Sequence, residues 1–186
     1  GNQGELLRLL DFEGNEVDAV AYADEGEWAK RILGPEDHGY RGWVWSNQHD
    51  GLGSSLERQS LEVAGAYGQN WLPSFAAGGT PGSRNGRSKS VIAPIIRKLE
   101  HWPPVPRSDE KVWVSANVVS GGSMIGEVKL FYRYQSGGSF LSIAMRDDGM
   151  NQDRASGDGV YGAWLPEAAD QVICEFYVRA TDAAGN

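Results

Sequence analysis

Lys111-Val112-Trp113-Val114-Ser115-Ala116-Asn117-Val118-Val119 alternates cleanly, with Val112, Val114, Ala116 and Val118 on one side and Lys111, Trp113, Ser115 and Asn117 on the other. A period of two is that of a strand with one face buried, because successive side chains point to opposite faces of a sheet. Working outward, Glu127 to Tyr134 repeats the pattern, with Val128, Leu130, Tyr132 and Tyr134 alternating with Lys129, Phe131 and Arg133. Gly137-Gly138 then predicts a turn into Ser139 to Met145, and so a hairpin. Gly159 to Leu165 reads as a strand with Tyr161, Ala163 and Leu165 inward, and Val172 to Thr181 as the next. Upstream, Ser90 to Glu100 reads as an opening strand. His101-Trp102-Pro103-Pro104-Val105-Pro106 reads as a rigid crossing at the sheet edge, since each proline removes a ladder donor. Six strands are expected in this half.

The first half is less regular. Glu5 to Leu10 and Glu16 to Tyr22 predict a hairpin joined by Asp11-Phe12-Glu13-Gly14-Asn15, where Gly14 and Asn15 tolerate left-handed backbone. A long loop is expected from Ala23 to Gly53, carrying Trp28, Trp43 and Trp45. Short strands are expected at Ser54 to Arg58 and from Asn70-Trp71. The polar stretch Ser83 to Ser90 reads as a linker. The expectation is an all-β chain of two small immunoglobulin-like β-sandwich modules in tandem. The first occupies residues 1–85, the linker 86–90 and the second 91–186. The turn Asp182-Ala183-Ala184-Gly185-Asn186 should lead into a final strand beside Val172 to Thr181, so both modules are expected to be truncated, the first at its opening strands.

Composition agrees with a folded chain. Apolar residues are 40% of the 186, with seven Trp, seven Tyr and five Phe to anchor cores. The 25 Gly and 8 Pro are dispersed, as many short strands with tight turns require. No apolar run approaches the roughly 20 residues of a membrane-spanning helix. Net charge is −8, of which residues 1–88 contribute −6. A nucleic-acid partner needs a basic face to displace counterions from phosphates, and neither half offers a basic cluster.

The ordered series in the first half resembles the C-terminal portion of a bacterial lamin-tail domain. Its elements are Leu7-Arg8-Leu9-Leu10-Asp11, Gly14-Asn15-Glu16-Val17-Asp18, Val20-Ala21-Tyr22, Trp28, Gly53-Ser54-Ser55-Leu56-Glu57, Asn70-Trp71 and Gly79-Thr80-Pro81-Gly82. The second half is similar to the immunoglobulin or fibronectin-III-like modules that follow such domains in large secreted bacterial proteins. The similarity lies in Val128 to Arg133, Asp147-Asp148-Gly149, Gly157-Asp158-Gly159-Val160-Tyr161 and Glu175 to Asn186. The resemblance implies an extracellular or cell-surface protein, often one that also carries spore-coat-kinase-like or hydrolase domains. In it these modules serve as noncatalytic spacers or adhesive units, contacting other domains of the parent, extracellular proteins or glycans. An accessory region of an enzyme whose catalytic domain lies elsewhere is the competing expectation. Eukaryotic lamin tails can contact DNA, but the acidic charge gives that property no support here.

Two stretches carry candidate chemistry. Asp147, Asp148, Asn151, Asp153 and Asp158 lie in one loop and could supply several of the six to eight oxygens calcium prefers, though their spacing is not that of an EF-hand. The competing reading is that Asp, Asn and Gly are turn formers that satisfy their own backbone amides. Trp43-Val44-Trp45 sets two rings on one side of a strand, with Tyr40 just before them, and exposed aromatics can stack on sugar rings; core filling is the alternative. His38, His49 and His101 match no metal motif. Cys174, the single cysteine, alternates with Val172 and Phe176 and reads as a buried core thiol rather than a nucleophile. No catalytic residue is expected.

Overall fold

A computed structural model describes residues 3–107, 109–134, 138–150 and 152–186, with the side chain of Tyr40 also outside the description. Small antiparallel sheets make up the fold, and no α-helix occurs among the described residues. No helix among them is long and apolar enough to cross a membrane. The chain forms two compact units that divide between Ile92 and Ala93.

The first unit consists of three two-stranded ribbons: β1 (Gly4–Leu10) with β2 (Glu16–Ala23), β3 (Lys30–Asp37) with β4 (Tyr40–Ser46), and β5 (Ser54–Arg58) with β6 (Trp71–Ala77). The loop expected from Ala23 to Gly53 is therefore corrected, since most of it is a one-turn 3-10 helix at Gly26–Trp28 followed by the β3–β4 hairpin. That hairpin closes on His38-Gly39, whose φ angles of 49° and 82° put both loop residues in left-handed conformation. This is the two-residue turn whose twist matches that of paired strands. Asp37 accordingly pairs with Tyr40.

Polar groups hold much of this unit together. Asn70, 0% exposed, donates from Nδ2 to the carbonyls of Ser60 (2.9 Å) and Val63 (3.0 Å) and accepts the Ser60 amide at 3.0 Å. Buried Glu57 accepts from the Thr80 hydroxyl at 2.8 Å and the Arg87 amide at 3.0 Å. These bonds draw the Gly79-Thr80 turn against β5. Gly79 must be glycine there, with φ 72° and the Ser55 hydroxyl only 2.2 Å from where a Cβ would sit. The 86–90 stretch is tied to the same ribbon: Arg87 Nε donates to the Pro73 carbonyl at 2.7 Å, and the Lys89 amide to Gln59 at 2.8 Å.

The second unit has the six strands expected: β7 (Ile95–Trp102), β8 (Trp113–Val119), β9 (Ile125–Arg133), β10 (Leu141–Ala144), β11 (Val160–Trp164) and β12 (Glu175–Asp182). They form two three-stranded sheets in the orders β11-β8-β7 and β10-β9-β12. The first strand starts later than Ser90 and pairs through Trp102, so the crossing begins at Pro103. Gly137 of the expected turn lies outside the described residues. Alternation explains the core: Val114, Ala116 and Val118 of β8 meet Val128, Leu130 and Tyr132 of β9, with Met145, Ala163 and Leu165 completing the cluster. Val114, Ala116 and Leu130 are fully buried, each larger side chain contributing about 1.5–3 kcal/mol of transfer free energy. Among the described residues, β12 has a hydrogen-bonded strand on its β9 side alone.

Candidate functional site

The β3–β4 hairpin presents the clearest candidate surface. Its register sets Leu33 opposite Trp43 and Arg31 opposite Trp45, so these four side chains share one face. Trp43 is 53% exposed, Trp45 39% and Leu33 46%, which places the rings at the surface and not in a core. The Arg31 guanidinium lies over the Trp45 ring, 5.1 Å from its centroid. Ile32 and Val44, opposite each other on the reverse face, are also substantially exposed. The ribbon is apolar on both sides, which is why no polar–apolar alternation marks it in the sequence. Glu36 and Arg41 pair beyond a bulge at Gly34-Pro35, and Arg41 Nε donates to the Gly34 carbonyl at 2.8 Å. Gly34 is confined there, because a Cβ would stand 3.0 Å from the Gly42 carbonyl oxygen.

A second apolar surface lies on the β1–β2 ribbon. Leu7, Leu9, Val20 and Tyr22 line an open groove of about 500 Å³ with Trp28 and Trp71. The two tryptophans pack at 6.0 Å between centroids, and Trp71 Nε1 donates to the Gly65 carbonyl at 2.8 Å. Leu6 and Leu10, on the other face of β1, are exposed as well.

In the acidic loop, each described carboxylate holds backbone amides. Asp147 accepts from Gly157 (2.6 Å), Asp158 (3.3 Å) and Gly159 (2.9 Å). Asp153, 0% exposed, accepts from Asp148 (2.5 Å) and Gly149 (2.9 Å). Asp148 caps Met150, and Asp158 caps Val160 and Ala155. Asn151 lies outside the described residues. This is the turn-forming chemistry of Asp, in which carboxylates replace missing ladder partners. No group of three or more His, Cys, Asp or Glu is placed to hold a metal ion among the described residues.

The histidines are engaged separately. His38 Nδ1 meets the Asp37 carboxylate at 2.6 Å, His49 Nε2 the Ala23 carbonyl at 3.0 Å, and His101 Nδ1 the Pro103 carbonyl at 3.1 Å. Cys174 packs against the core of the second unit, and burial, with Glu175 adding to it, pushes its thiol up to about 11. Burial raises the neighbouring Tyr134 hydroxyl to about 12, and that hydroxyl donates to the Pro166 carbonyl.

The outer face of the β10-β9-β12 sheet carries a series that alternation alone does not disclose. Phe131 and Tyr177 stack at 4.8 Å with planes 2° apart, Arg179 covers Phe131 at 4.7 Å, Phe140 meets Tyr177 edge-on, and Arg133 lies over Phe140 at 4.6 Å. Both faces of Phe131 are thus occupied within the chain. The β3–β4 rings differ in keeping free area. Compared with known proteins, the chain matches no family model and no curated protein.

Proposed function

We propose that this chain is a noncatalytic adhesive and spacer region of a secreted or cell-surface multidomain bacterial protein. The observation that carries this reading is the apolar surface left on the strand ribbons of the first unit. Leu6, Leu7, Leu9, Leu10, Ile32, Leu33, Trp43, Val44 and Trp45 are each at least 39% exposed. Contiguous exposed apolar side chains of this kind mark interaction surfaces. Further support comes from the acidic loop, whose described carboxylates are committed to backbone amides, and from Cys174, whose raised pKa disfavours the nucleophilic thiolate. The second unit, with one cluster spanning two sheets, suits a spacer that transmits load. The test is a panel of hydrolase and phosphotransfer assays on the purified chain. No turnover above a denatured control is expected; turnover abolished by substituting a single acidic residue would refute the reading.

A further inference from the structure

We infer that the Trp43–Leu33–Trp45–Arg31 face of the β3–β4 hairpin binds an acidic polysaccharide, one built of uronic acid units. This names a partner for the adhesive reading and rests on it. Trp43 and Trp45 are two residues apart on one strand, so their attachment points are about 7 Å apart along it. Together with Leu33 they make an exposed apolar strip able to receive the C–H faces of successive sugar rings. Core packing leaves such rings little exposed area, yet Trp43 keeps 53%.

Arg31 decides the charge of the partner. Its guanidinium is held over Trp45 and makes no hydrogen bond or ion pair with any described residue. A guanidinium offers five N–H donors in a planar fork that matches a carboxylate, and stacking on a ring leaves that edge free. With Arg31, the hairpin carries Lys30 and Arg41 against Glu36 and Asp37, three basic side chains to two acidic ones and so a local excess of one positive charge within a chain of net −8. A neutral glucan would use the rings and leave Arg31 idle, while a nucleic acid needs a cluster of basic side chains for its phosphates, and neither half of the sequence offers one. A uronate chain fits both features, its ring stacking and its carboxylate meeting Arg31.

The test is isothermal titration of the intact chain with galacturonate hexamer, cellohexaose and poly-glutamate, with the tryptophan indole N–H resonances followed by NMR. Galacturonate hexamer is expected to bind and to shift the Trp43 and Trp45 indole signals. Trp43→Ala should weaken binding by about tenfold or more. Arg31→Gln should erase the preference over cellohexaose while leaving ring stacking, and Met124→Ala, at an exposed apolar residue of the second unit, should leave affinity unchanged. Absence of both heat and indole shifts at millimolar hexamer overturns the inference. So does equal binding of poly-glutamate, which would make the face an acidic-peptide site. Because the indole shifts are read on the unsubstituted chain, a variant that fails to fold does not blur the outcome. Cleavage of the hexamer would refute the noncatalytic reading and leave the binding face standing.

Discussion

Asp182 holds Asn186 by a carboxylate that accepts the Asn186 amide at 2.8 Å and its side-chain amide at 2.9 Å, and Asp11 holds Asn15 in the same way at 2.8 and 3.0 Å. In both loops the aspartate amide also donates to the asparagine carbonyl, and the glycine amide to the aspartate carbonyl. Asp-x-x-Gly-Asn is thus one structural device used twice, and in its first use it reverses β1 into β2. Glycine at the fourth position is needed because φ is 87° in each copy.

The paired turns predict an acid-sensitive stability. The asparagine side chain first, and then the backbone amides, hold the Asp11 and Asp182 carboxyls below the ordinary 3.8. A carboxyl whose pKa is depressed by folding stabilises the fold above its unfolded pKa, and that contribution is lost as pH falls through the folded value. The melting temperature, followed by circular dichroism, should therefore hold between pH 7 and 5 where these groups are concerned and fall below about pH 4. Asp182→Asn should lower it at pH 7 and leave a smaller difference from the parent at pH 3.

Asp153→Ala should destabilise the second unit by about 2–3 kcal/mol, because a buried carboxylate is lost and the Asp148 and Gly149 amides lose their acceptor. Urea unfolding followed by fluorescence measures the shift. A change below about 0.5 kcal/mol, the range of ordinary surface substitutions, would show that the loop is held by other contacts.

Asn70→Ala should act on the first unit. The substitution strips partners from the Ser60 amide and from the Ser60 and Val63 carbonyls, for a cost of roughly 2–4 kcal/mol. Hydrogen exchange of residues 59–72 should accelerate with it, while β8 and β9 of the second unit keep their protection.

Cys174 should react slowly with thiol reagents. A pKa moved from 9.0 to about 11 lowers the thiolate fraction at pH 8 by about 100-fold, and the greater nucleophilicity of a more basic thiolate offsets part of this, so labelling of the native chain should lag that of the urea-unfolded chain by about tenfold or more. Equal rates would mean that β12 opens readily at its start.

How far the fold could be read in advance varied along the chain. In β8, β9 and β11 the period of two was sufficient, since one face is buried and the other is not, and the same inward residues form the core. The β3–β4 hairpin escaped because Ile32, Leu33, Trp43, Val44 and Trp45 are apolar on both faces and Gly34-Pro35 breaks the pattern. The signal that could have revealed it is His38-Gly39 with apolar runs at similar distances on either side. Trp43 and Trp45 were legible as same-face rings, but Arg31 was not, because its ring partner lies across the hairpin.

By itself, the sequence determined the all-β class, the position of most strands, the hairpin loop at Asp11–Asn15 and the turn at Asp182–Asn186. These depend on side-chain alternation and on backbone preferences that act within a few residues. Only the tertiary structure decided that Asn70 and Asp153 are buried knots, that the acidic loop spends its described carboxylates on its own amides, and that Trp43 and Trp45 face outward beside the Arg31 guanidinium stacked on Trp45. Burial, hydrogen-bond partnership and register across a ribbon are properties of segments brought together in space, and no local pattern encodes them.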